Sequence, residues 1–195
     1  MSGIDEVGFD LAKKLKQQFE NNRQTILETT SRLFTEKGVN ATSFSDIAKA
    51  VKLSKGTIYY YYPSKDHLIY EITEFHFKGI TDGIFTWINK IHSGLSAEEA
   101  IKELFTTVFT KAETCRLHLC LIAEGIVGKA AIKKRFAEKY AEWCTMIEVG
   151  LVKTDSKDKD LKRLAYFASV MLDGIVVKRA LNIAAAVEDI CKDLF

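Results

Sequence analysis

A single proline, Pro63, stands in 195 residues, with only eleven glycines beside it. So few chain breakers argue against a turn-rich architecture and for a mostly helical one. No apolar run is long enough to span a bilayer, so no membrane partner is expected. The first residues are polar and acidic before they turn basic, without the charged-then-apolar order of a signal peptide. The expected compartment is therefore the cytoplasm, and the four cysteines are expected as reduced thiols. Catalytic signatures are also missing: there is no G-x-S-x-G, no phosphate-cradling glycine loop and no H-E-x-x-H. Neither an enzyme nor a cofactor is expected. No repeat and no low-complexity segment occurs.

Hydrophobic residues make up 47% of the chain, ample for a core. The net charge is only +2, but it is unevenly placed. Between Asp10 and Lys65 there are ten Lys/Arg against five Asp/Glu; the rest of the chain holds 18 against 21. A basic front part on a near-neutral chain suits a nucleic-acid partner, or simply a solvated basic face.

The stretch from Ser43 to Lys65, S-F-S-D-I-A-K-A-V-K-L-S-K-G-T-I-Y-Y-Y-Y-P-S-K, organises the rest. Ser43 can N-cap a short helix, with Asp46 three residues on favouring the positive helix end. Ile47, Ala48 and Val51 give that helix one apolar side. A turn falls at Lys52, Leu53 and Ser54. Ser54 caps a second short helix, which Pro63 stops. Ile58 and Tyr62, four apart, mark its buried side. The opposite side presents Lys55, Gly56, Thr57, Tyr59, Tyr60 and Tyr61: a cation, a hydroxyl and phenols, with no carboxylate. Two short helices so joined form a helix-turn-helix, whose second helix lies in the DNA major groove.

From about Arg23 to Leu68 the chain resembles the DNA-binding signature of the TetR/AcrR family of bacterial transcription regulators. Two positions depart from that pattern: Tyr61 stands where the family often has histidine, and Tyr62 where Phe or Val is usual. The resemblance implies that Lys55, Gly56 and Thr57 approach base edges, and that Tyr59, Tyr60, Tyr61 and Lys65 contact bases or backbone. The caps Ser43 and Ser54 complete the expected DNA-binding set. It further implies a homodimer, mostly repressing, that leaves its double-stranded operator when a small molecule enters a C-terminal bundle.

Residues 1–20 form an extension in which Val7, Leu11, Leu15 and Phe19 recur every four residues, so a helix is possible. Lys13, Lys14 and Lys16 make its second half basic. It reads either as an arm that touches DNA or as a loosely held tail. The first domain helix is expected over 22–37, with the stripe Ile26, Leu27, Thr30, Leu33, Phe34 and a stop at Gly38. Residues 21–68 are the expected DNA-binding domain and 69–195 the helical ligand-binding and dimerisation domain.

Ser64 caps a helix expected to run to about His92 on Leu68, Ile72, Phe75, Ile80, Ile84, Trp87 and Ile91, with Gly79 and Gly83 as possible bends. It would join the reading domain to the remainder. A capping box Ser96-x-x-Glu99 opens a helix to about Thr114; others follow over 115–127, 130 to about 154, and 161 to about 181, with a last short one over 187–195. The 161–181 helix is apolar almost all round, so a second copy of the chain is its expected partner.

Cys115, His118 and Cys120 are the one cluster suggesting a metal. On a helix Cys120 is turned ~140° from Cys115, so the three cannot meet one ion, and no metal is expected. His118, Glu124, Tyr140 and Asp173 are the candidate polar contacts of a small apolar or aromatic ligand held between helices, with mutual satisfaction of these groups as the alternative. The expected protein is thus all-α, a DNA-binding regulator. The alternative is a DNA-binding module without a small-molecule ligand, acting structurally or through a protein partner.

Overall fold

The computed structural model describes residues 3–156, 160–185 and 187. The described residues form eight α-helices and no strand. In chain order they are α1 (Gly3–Lys37), α2 (Phe44–Val51), α3 (Lys55–Tyr61), α4 (Lys65–Lys90), α5 (Ala97–Thr107), α6 (Ala112–Val127), α7 (Ala130–Val152) and α8 (Leu161–Ala180). The chain divides into two compact units between Ile72 and Thr73, inside α4. The expected helix over 187–195 lies outside the described residues, apart from Val187, and so does Cys191.

In the first unit α1 is one continuous helix, not a short domain helix preceded by a separate extension. Nothing between Gly3 and Lys37 breaks it; Gly38, at φ +87°, ends it in a conformation that suits glycine. Its stripe of Ile26, Leu27, Thr30, Leu33 and Phe34 is buried, as are Phe44, Ile47 and Ala48 of α2 and Ile58 of α3. The start of α4 adds Leu68, Ile69 and Ile72. Ser64 accepts a hydrogen bond from the His67 amide there (3.1 Å). An ion pair between Arg23 and Glu71 ties α1 to α4.

In the second unit α6, α7 and α8 pack against one another and α5 packs on α8. The later part of α4 buries His76, Phe77, Ile80, Ile84 and Trp87. Phe75, expected on that stripe, is only half-buried, and its neighbours His76 and Phe77 take the inward positions. The expected helix to about Thr114 also ends early, at Thr107. Phe109 adopts φ +56°, and the Arg179 guanidinium of α8 donates to the carbonyls of Phe105 (3.0 Å), Val108 (3.2 Å) and Phe109 (2.8 Å). A distant cation thus satisfies carbonyls that a helix end leaves open. Gly150 of α7 lies directly on the Trp87 ring, where a Cβ would come within 2.3 Å of it.

Candidate functional site

The α2–α3 pair is built from local hydrogen bonds. Ser43 Oγ accepts from the Asp46 amide (3.2 Å), while the Asp46 carboxylate accepts from the Ser43 amide (2.9 Å) and hydroxyl (2.6 Å). That reciprocal box fixes the start of α2. Lys52 closes α2 in the left-handed region (φ 57°), and its amide and that of Leu53 return to carbonyls of the last turn. Ser54 Oγ accepts from the Thr57 amide (2.9 Å) and shares a hydrogen bond with the Thr57 hydroxyl (2.8 Å). In the free protein Ser43, Ser54 and Thr57 are therefore occupied in caps.

Lys55, Gly56, Tyr59 and Tyr60 are exposed on α3, and this surface carries no carboxylate. Tyr59 lies edge-on to Phe44, with ring centroids 4.8 Å apart, and the Lys55 ammonium is 5.8 Å from the Tyr59 centroid. Gly56 has a normal helical backbone, and a Cβ there would meet nothing nearer than Ser54 Oγ at 3.6 Å. The fold of the free chain does not require glycine at this position, where it costs a helix about 1 kcal/mol relative to alanine. Tyr61, expected to be exposed, is half-buried, because Phe19 of α1 stacks on it at 4.6 Å and 27°. Tyr62 is buried, as expected, and its hydroxyl has no hydrogen-bond partner among the described residues. Burial pushes that phenol up to about 12. Lys65 is half-buried and donates to the Asn40 carbonyl (3.3 Å).

In the second unit, three of the four candidate ligand contacts join one chain of hydrogen bonds. Tyr140 donates to Asp173 Oδ1 (2.8 Å), His118 Nε2 meets the Tyr140 oxygen (2.8 Å), and His76 Nε2 meets His118 Nδ1 (2.9 Å). The direction of the Tyr140 proton sets the rest. His118 Nε2–H donates to the phenol oxygen, and its bare Nδ1 accepts from His76 Nε2–H. Burial keeps both imidazoles neutral: it lowers His76 to about 4 and His118 well below its ordinary value, with His76 adding to the latter. Burial also raises Tyr140, helped by the Asp173 charge, and raises Asp173 against the opposing hydrogen bond from Tyr140. The chain takes one side chain from each of α4, α6, α7 and α8. Glu124 is not in it and pairs with Lys129 (3.7 Å).

A groove of about 330 Å³ runs between α6 and α7, lined by Ile122, Ile126, Phe136, Ala137, Tyr140 and Lys133 among others. Lys134, Arg135 and Lys139 of the same helix each pair with a glutamate, whereas Lys133 has no such partner among the described residues. Of the candidate ligand contacts, Tyr140 alone lines this groove. No group of three metal-ligating side chains occurs among the described residues. The Cys115 thiol instead donates to the Phe109 carbonyl (3.3 Å), and burial pushes it up.

His76 is the member that sequence reasoning missed. Its signal was present: Ile72, His76, Ile80 and Ile84 follow one another in steps of four, which places the histidine on an otherwise apolar buried stripe.

Residues 26–72 match the family model described as bacterial regulatory proteins, tetR family. Over 64 residues the chain is 42% identical to the HTH-type transcriptional regulator AcrR of Shigella flexneri, covering 33% of this chain and 30% of that protein. The aligned part thus spans under a third of that relative's length. Similarity to the HTH-type transcriptional regulator LmrA of Bacillus subtilis is weaker but longer: 23% identity over 171 residues, covering 80% of this chain and 85% of the relative. The fold is shared with a solved transcriptional regulator (TerR/AcrR family) from Aquifex aeolicus VF5, with a TM-score of 0.67, 21% identity, and coverage of 89% and 95% of the two chains. Each of these three relatives is described as a transcriptional regulator, none as an enzyme.

Proposed function

The chain belongs to the TetR family of bacterial regulatory proteins, and from that premise we propose that it is a repressor whose α3 reads a double-stranded operator in the major groove. The observation that carries this is the exposed face of α3. Lys55, Gly56, Tyr59 and Tyr60 lie on it without a carboxylate, and Gly56 is a glycine the fold does not demand. A missing side chain there lets the helix backbone approach base edges closely, and the phenols can meet thymine methyls or phosphates. Ser43, Ser54 and Thr57 would join by redirecting hydroxyls now held in caps. The protein would act in the cytoplasm as a homodimer, through the side of α8 that exposes Tyr166, Phe167, Val170 and Val177.

The release signal would be a small apolar or aromatic molecule in the groove between α6 and α7, with Lys133 available to an acidic group on it. Tyr140 links that groove to the four-helix hydrogen-bond chain, so a ligand that moves the phenol disturbs α4, α6, α7 and α8 together. The reading without a small-molecule ligand draws on a different observation: His118, Tyr140 and Asp173 already satisfy one another.

The test of the DNA reading is a salt titration of operator affinity in wild type and Lys65→Ala. Lys65 lies just past the reading helix, so its loss should weaken binding about equally on all sequences and make the salt slope shallower by about one. An altered sequence preference at an unchanged slope would show that Lys65 reads bases. Linkage tests the ligand: operator DNA must lower ligand affinity by the factor by which ligand lowers that of DNA. Equal ligand affinity with and without operator would leave the module without a ligand as the better account.

A further inference from the structure

We infer that Phe19, ahead of the family-matched segment, is a positioning residue for the reading tyrosines and so helps to set base preference. This rests on the reading of α3 as the DNA-contacting helix. Phe19 stacks on Tyr61 (centroids 4.6 Å apart, planes at 27°) and lies edge-on to Tyr60 (6.1 Å, 88°). Tyr60 and Tyr61 are themselves edge-on (5.6 Å, 84°). Stacked and edge-to-face arrangements are the favoured ones for aromatic pairs.

The backbone explains why the ring arrives there. Phe19 precedes Ile26 by seven residues, nearly two helical turns, so the two lie within ~20° of one face of α1. Ile26 is fully buried, and Arg23, one turn after Phe19, is held by Glu71. The stripe that anchors α1 in the core therefore continues past the core's edge, and Phe19 overhangs α3. Each of the three tyrosines is braced by a phenylalanine from another helix: the exposed Tyr59 by Phe44 of α2, the exposed Tyr60 and half-buried Tyr61 by Phe19 of α1. Phe44 lies inside the helix-turn-helix, whereas Phe19 does not. A side chain reads a base only if its rotamer is held, and ring stacking removes the swing that Tyr61 would otherwise have. The extension thus contributes to recognition by fixing tyrosines. Lys13, Lys14 and Lys16 are exposed on the turns before Phe19, where a phosphate-seeking arm would act differently.

The experiment is selection of duplexes from a random DNA library by the full chain, followed by affinity measurement on the selected duplex. It is run for wild type, Phe19→Ala, Phe19→Tyr and a variant with Lys13, Lys14 and Lys16 all changed to Ala. Phe19→Ala should select a motif with relaxed preference at one or two positions. It should bind the wild-type duplex about tenfold more weakly, the size of one base discrimination. Phe19→Tyr, which keeps a ring, should restore both, and the lysine variant should keep the motif unchanged. Helicity and unfolding midpoint of each variant confirm that the half-exposed site tolerates the change. If Phe19→Ala selects the wild-type motif at wild-type affinity, the inference is overturned. A uniform affinity loss with the motif intact overturns it too, since a displaced basic arm gives that result. A wild-type chain that selects no motif removes the DNA reading itself, and this inference with it.

Discussion

Gly150→Ala should be the most damaging single methyl group in the second unit. The added Cβ would lie 2.3 Å from Trp87 Cζ3 and 2.4 Å from Cη2. Carbon atoms pack at ~3.5–4.0 Å, so the ring or the helix must move by roughly 1.2 Å or more. The ring has little room to retreat, because Trp87 is fully buried and its indole N–H donates to the Ala100 carbonyl at 2.7 Å. Overpacking of this kind costs about 1–3 kcal/mol. If the ring tilts away, it also leaves a buried donor unpaired, for a further ~1–3 kcal/mol. Against this stands the better helix propensity of alanine, about 1 kcal/mol. With both costs the net expectation is a loss of about 1–5 kcal/mol. Gly79→Ala is the matched control, since a Cβ there meets nothing within 4 Å. That change should stabilise by up to ~1 kcal/mol, so one substitution at two sites should differ by about 2–6 kcal/mol. Urea unfolding followed by tryptophan fluorescence reports on the right unit, because both tryptophans, Trp87 and Trp143, lie in it. A Gly150→Ala midpoint at or above that of wild type would refute the reasoning.

Three further outcomes are expected. Tyr62→Phe should raise stability by about 1 kcal/mol, because it removes a buried hydroxyl without a partner among the described residues; a lower unfolding midpoint would mean that the hydroxyl is bonded. Stability should fall as pH drops from about 6.5 towards about 4, since the unfolded chain protonates both histidines while His76, lowered to about 4, and His118 stay neutral in the fold. Asp173, raised by burial, works in the opposite direction but is one group against two; urea titrations at pH 7 and pH 5 decide, and equal midpoints would contradict the buried neutral pair. Light scattering at micromolar concentration should give twice the monomer mass, and Phe167→Glu with Val170→Glu should give the monomer, because exposed apolar side chains of α8 would then meet a charge; a wild-type monomer removes the proposed interface.

The reading head was legible in the sequence because its determinants are local. The Ser43–Asp46 box, the Ser54 cap and the Pro63 stop all act within a few residues, and the caps appear as hydrogen bonds between positions three apart. The capping box at Ser96 and Glu99 was legible for the same reason. Periodicity placed Ile26, Leu33, Phe34 and Ile58 in the core because burial follows the helical repeat. The tertiary structure decided what depends on distant partners. The end of α5 is set by Arg179, which lies 70 to 74 residues further along the chain than the carbonyls of Phe109 and Phe105. The polar chain joins His76 to His118 across 42 residues, His118 to Tyr140 across 22 and Tyr140 to Asp173 across 33. Which of several polar residues meet is fixed only when helices pack, because the repeat gives a face and not its neighbour. Phe19 makes the same point on the first unit. Its spacing promised a helix, but only the packing of α1 along the core brought that ring onto Tyr61.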